Sequence, residues 1–66
     1  MNVKYPHITV ELTGGNGNAH AIIAAVRKAL RRARLGDEVI KQFTDEATSG
    51  DYDNVLQTCM RWVNVE

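Results

Sequence analysis

One cysteine, one proline and no long hydrophobic run occur in this chain of 66 residues. Each shortage excludes something. A lone Cys59 cannot form a disulfide within the chain, and no zinc site can be built from cysteines. Its place on an apolar helix face makes it a small buried hydrophobe. His7 and His20 are the only histidines. Both are expected to be exposed, and nothing at ligand spacing accompanies either, so no metal is expected. No stretch approaches the roughly 20 apolar residues of a bilayer span, and no signal peptide is seen. The expectation is a cytoplasmic protein without membrane contact.

Acids are missing from residues 19–35, which carry five Lys/Arg, and residues 36–54 carry six Asp/Glu with Lys41 as their only base. Over the whole chain 8 acids balance 8 bases, so nothing draws the protein as a whole to nucleic acid or membrane. The segregation admits two readings: complementarity between neighbouring helices of one chain, or attraction of one subunit's basic face to another's acidic face. A chain this short is one domain, residues 1–66, with a modest core. Self-association is therefore expected, and a further protein partner is compatible with it.

The stretch from Gly14 to Gly36 organises the rest. Gly14-Gly15-Asn16-Gly17 leads to Asn18, a good N-cap. From Ala19 to about Arg34 there is neither proline nor glycine. Ala19, Ile22, Ile23, Val26, Ala29, Leu30 and Ala33 recur at the spacing of one helix face. Arg27, Arg31 and Arg34 lie opposite with His20, and Lys28 and Arg32 flank them. The basic side is either a solvated face whose cations suit the helix C-terminus or an anion-binding surface. No aromatic residue interleaves with the arginines, so base stacking there is not expected.

The glycine loop is either a strand-to-helix turn needing positive φ or a phosphate cradle of N–H groups around Gly15, Gly17 and Asn18. Neither specific phosphate signature is complete. The P-loop's Lys and Ser/Thr are missing after Gly17, and His20 stands where a dinucleotide fingerprint needs a small residue. This loop and Arg27, Arg31 and Arg34 lie roughly 15–20 Å apart along a helix, too far to share one small ligand.

Ile8, Val10 and Leu12 alternate with polar residues and predict a strand over about 7–13. The phase changes across Pro6-His7, so the first residues form a bulge or lie outside the sheet. After the long helix, Gly36 suits the left-handed position and Asp37 the next N-cap. Val39, Ile40, Phe43 and Ala47 share a face of a second helix over about 38–48, with Asp45 and Glu46 solvated. Ser49-Gly50-Asp51 repeats the punctuation. Tyr52, Val55, Leu56, Cys59 and Val63 then mark a third helix over about 52–60, and Asp53, Asn54, Gln57, Thr58 and Arg61 form its polar side. Residues 62–65 alternate and predict a short strand pairing with the first; the alternative is a helix continued to the end. The fold class is α+β, in the order β-α-α-α-β, with a two-stranded sheet packed on three helices.

Four blocks carry a resemblance: Gly17-Asn18-Ala19, Ala29 to Ala33, Glu46 to Asp53, and Met60-Arg61-Trp62-Val63. Across roughly Tyr5 to Val65 the chain resembles a family of short uncharacterised proteins of bacteria and their phages. Members of that family carry Asp where this chain has Asn16, an aromatic where it has His20, and glycine where it has Arg34. The resemblance implies a single domain and brings no activity with it.

The residues suggest no enzyme and no cofactor. Asp51 and Asp53 fall at a helix start, where capping accounts for them, and Thr48, Ser49 and Cys59 have no neighbouring histidine in sequence. A helix-turn-helix reader would place the acidic start of the third helix against phosphates, which repel it. Nucleic acid is therefore not the favoured partner. Tyr52, Trp62, Met60 and Phe43 are large for so small a core; either they simply complete it, or some are exposed, with Tyr52, Trp62 and Met60 the candidates for a contact surface. The expected role is a self-associating interaction module. The alternative is an anion-binding module for nucleic acid or a phosphorylated small molecule.

Overall fold

The computed structural model describes residues 3–11 and 18–66. It has the expected order: β1 Tyr5–Val10, α1 Ala19–Arg32, α2 Asp37–Ala47, α3 Tyr52–Trp62 and β2 Val63–Val65. β1 and β2 form a two-stranded parallel sheet. Tyr5 pairs with Val63, Thr9 with Asn64 and Val10 with Val65, with an irregularity between Tyr5 and Thr9. The phase change at Pro6-His7 is this bulge. Pro6 has no N–H for a ladder, and its carbonyl instead accepts from the Asn64 side-chain amide. β1 thus starts two residues before the expected strand and ends at Val10; residues 12–13 of the expected strand lie outside the described residues.

α1 buries Ile22, Ile23, Val26 and Leu30. It stops at Arg32, two residues short of the expected end. The Ala33 N–H reaches the Ala29 carbonyl, the Arg34 N–H the Arg31 carbonyl and the Leu35 N–H the Leu30 carbonyl. The last two bonds are the paired closure of a Schellman turn, which needs its second-to-last residue in the left-handed region. That residue is Arg34, φ 63°, and Leu35 then packs on the core. The expected roles of the next two residues are corrected accordingly. Gly36 is extended, with φ −65° and ψ 165°, and is the N-cap of α2. Asp37 is the first helical residue, and no side chain caps α2.

The joint between α2 and α3 is closed more thoroughly. Asp51 caps α3 as expected, accepting from the Asn54 N–H at 3.1 Å. The Asn54 amide donates to the Ala47 carbonyl at 3.3 Å and to the Glu46 carbonyl at 2.9 Å, the latter also taking the Ser49 N–H and hydroxyl, so the end of α2 is tied to α3. Gly50 lies so close to Asn54 that a Cβ there would meet the Asn54 Cβ at 3.0 Å.

α3 runs two residues past its expected end and passes into β2 without a loop. Trp62 is helical, and Val63 is extended while its N–H still bonds the Cys59 carbonyl. The core gathers Val26 and Leu30 of α1, Phe43 of α2, Cys59 of α3 and Val63 of β2, all fully buried. Phe43 meets the Trp62 ring edge-on at 5.5 Å, and Tyr5 tilts against it at 5.9 Å. Thr58, expected on the polar side, is also fully buried. Its hydroxyl accepts from Arg61 Nη2 at 3.2 Å, so burial leaves it partnered. Burial pushes the Cys59 thiol up to about 11, which keeps it protonated and unreactive at neutral pH.

Candidate functional site

The cations of the long helix divide into two rows. Arg27 and Arg31 stand one turn apart; Lys28 and Arg32 form a second row about 100° further round the helix, on the side of β1. Arg34 belongs to neither, because the chain leaves the helix before it. The expected row of three arginines is therefore two, with a third in the following turn. All five cations are exposed. Among the described residues the one ion pair within 4 Å joins Arg61 to Glu46, so no cation of residues 19–35 is paired with an acid of α2 or α3. Asp37, Glu38, Asp45, Asp51 and Asp53 are likewise exposed and outside any such pair. Direct ion pairing between the two segments is thus not seen among the described residues.

At the entrance to α1, the Asn18 side chain accepts from the His20 N–H at 2.8 Å. Gly15 and Gly17, the other members of the expected phosphate cradle, lie outside the described residues. The cap thus satisfies one orphan donor of the helix.

Of the three candidates for an apolar contact surface, two are exposed. Tyr52 is 42% and Met60 54% accessible, whereas Trp62 is 3%. Half-buried Leu56 lies between the first two at four-residue spacing, so Tyr52, Leu56 and Met60 form one stripe along α3. Trp62 is withdrawn from the surface because both its apolar and its polar parts are held inside. Its indole N–H donates to Glu46 Oε2 at 3.0 Å, and Lys4 Nζ stands 4.1 Å over its ring.

Glu46, expected to be solvated, is the centre of this corner. The same oxygen accepts from Arg61 Nη2 at 3.1 Å. The hydrogen bond from Trp62 holds its carboxyl below the usual carboxylate range, with Arg61 and Lys4 acting in the same direction against partial burial. Nothing local in the sequence signals this cluster, since Glu46 and Trp62 are 16 positions apart and meet only through helix packing. Val3, Lys4, Glu46, Arg61 and Trp62 line a shallow depression of about 350 Å³. Its carboxylate is occupied by two donors and is poorly placed to act as a base.

A larger open groove, about 460 Å³, lies between β1 and α1. Its strand wall is the continuous run from His7 to Glu11. Its helix wall is Ala25, Lys28, Ala29, Arg32 and Ala33. Three alanines keep that wall low, and Lys28 and Arg32 give it positive charge.

Among the described residues no three His, Cys, Asp or Glu side chains come together as a metal site, and no helix is long and apolar enough to cross a membrane. Comparison with protein-family models, curated proteins and solved structures found no match.

Proposed function

We propose that the protein is a non-enzymatic interaction module that associates with further copies of itself. The basic outer side of α1 on one copy would meet the acidic surface of α2 and the start of α3 on another. One observation carries this reading: exposed charges of opposite sign are segregated on different helices, and among the described residues none of the α1 cations is within 4 Å of an acid. Such surfaces attract across an interface and fix its register. A bacterial or phage cytoplasmic setting belongs to the same proposal.

Light scattering at low and high salt tests it. The expected result is a dimer or larger species at low salt that dissociates at high salt, because exposed charges are screened. Arg27→Glu together with Arg31→Glu should be monomeric at both. A dimer indifferent to salt would shift the contact to Tyr52 and Met60 on α3. A monomer at both salts would overturn self-association.

The unpaired Arg27 and Arg31 also favour a second reading, an anion-binding module for nucleic acid or another polyanion. Salt-sensitive retention on heparin that disappears with Arg27→Ala plus Arg31→Ala would support it. Unchanged retention in that double variant would remove it.

A further inference from the structure

The groove between β1 and α1 exposes a strand edge beside a positively charged wall. The Val10 carbonyl accepts from the Glu66 N–H at 2.9 Å, so Val10 directs its backbone groups toward β2. Backbone groups of successive strand residues face alternate edges. Thr9 and Glu11, on either side of Val10, therefore turn theirs to the opposite edge. Among the described residues no strand lies there, since the sheet is β1-β2 alone. This is the edge that opens into the groove, where His7 to Glu11 form one wall.

We propose that the outer edge of β1, with Lys28 and Arg32 of α1, forms a strand-addition site for an extended segment of a partner protein bearing acidic side chains at alternate positions. Main-chain bonding to an exposed edge supplies affinity in this mode, and side-chain pockets supply selectivity. The spacing of the wall fits the occupant. Lys28 and Arg32 are four residues apart on a helix, a rise of about 6 Å. Alternate side chains on one face of a strand repeat at about 6.6 Å. Two carboxylates on one face of an added strand can thus meet the two cations, while Ala25, Ala29 and Ala33 leave room for its backbone. Neither cation has an acidic partner within 4 Å among the described residues. The one acid in the lining is Glu11, at the end of the strand wall.

A second copy of this chain is the poorer occupant. Its strands read Tyr-Pro-His-Ile-Thr-Val and Val-Asn-Val, with no acid in either. Its β1 would also bring a second Lys28 and Arg32 toward the first. Pro6 offers no N–H at one end of such a pairing. The site is separate from the proposed self-association, which uses the Arg27 and Arg31 row.

The test is a titration of the intact protein, followed by amide chemical shifts, with a capped Thr-Asp-Val-Asp-Val-Thr peptide. Controls carry Asn for both Asp, or N-methyl groups on the backbone edge that would meet β1. Saturable shifts are expected at Thr9, Glu11, Lys28 and Arg32, with at least tenfold weaker binding of either control. Lys28→Glu plus Arg32→Glu should weaken the acidic peptide at least tenfold and bind the matching lysine peptide better, which also shows that the variant is folded. Shifts confined to Arg27 and Arg31, no saturable binding, or undiminished binding of the N-methylated peptide would overturn the proposal. So would concentration-dependent shifts along β1 in the free protein, which would mean that a second copy covers the edge.

Discussion

The corner where α2 meets α3 and the outer side of α1 are both rich in charged and polar groups, yet they use them in opposite ways. In the corner, Glu46 takes hydrogen bonds from Trp62 and Arg61, Asn54 closes the end of α2, and Thr58 is buried with a partner. On α1, the side chains of Arg27, Lys28, Arg31 and Arg32 form no ion pair with any acid described. The corner joins elements distant in sequence, so its polar groups specify packing. The α1 cations are neighbours on one helix and repel one another slightly; packing gains nothing from them. Charge bonded across elements serves the fold, and charge left without such a bond is available to something else.

That contrast can be tested by substitution. Trp62→Ala should have the largest effect, a loss of about 3–5 kcal/mol, because it removes the ring shared by Tyr5 and Phe43 and one donor of Glu46. Urea denaturation followed by circular dichroism would measure it, and a loss under 1 kcal/mol would mean that the corner is not the keystone described. Asn54→Ala should cost about 1–2 kcal/mol by taking the side-chain donor from the Ala47 carbonyl and one of three donors from the Glu46 carbonyl, read from the same denaturation midpoint.

Arg34→Gly should act in the opposite direction. It relieves a left-handed conformation that disfavours a side chain by about 1 kcal/mol, and the melting temperature should rise by about 4–8 °C for each kcal/mol gained in a domain of this size. Glu46→Gln should destabilise less than Asn54→Ala, and mainly at neutral pH. Because the folded protein lowers the Glu46 pKa, the stabilisation is present above its unfolded value and fades as pH falls through the folded one. The gap between wild type and Glu46→Gln should therefore close in acid, and a constant gap would contradict the role of its charge. The smallest effect belongs to Arg27→Gln plus Arg31→Gln, within about 0.5 kcal/mol of wild type. Measured at high salt, where the proposed association is screened, a larger loss on melting would show that α1 uses these side chains for folding after all.

The order of elements was legible because each carries its own periodicity: alternation at Ile8 and Val10, and three-and-four spacing from Ile22 to Leu30. The buried face of α1 and the cap at Asp51 follow from the same local rules. What escaped was set by distant contacts. Trp62 stood between the core and a contact surface because large apolar residues looked in surplus for so small a core, and it was expected in a strand. In the structure the helix continues and presents its ring to Tyr5 and Phe43. Glu46 looked solvated because its partners come from the next helix. The left-handed residue was assigned to Gly36 on residue type, whereas the hydrogen bonds closing α1 demand it at Arg34. Of the candidate anion-binding residues, Arg27 and Arg31 share a row and Asn18 is a cap. Arg34 is displaced, and that shift was hidden behind the same misplaced turn.

The pairing of the first strand with the last has a consequence for how the chain folds. Pro6 and Asn64 are 58 positions apart, and the Lys4 N–H bonds the Arg61 carbonyl. β1 has no mate until β2, beyond three helices, is brought beside it. All three helices can form in the meantime from local contacts, which close in microseconds or less. Closing the sheet is therefore the least local step of folding, and the seat of Trp62 between Tyr5 and Phe43 depends on it.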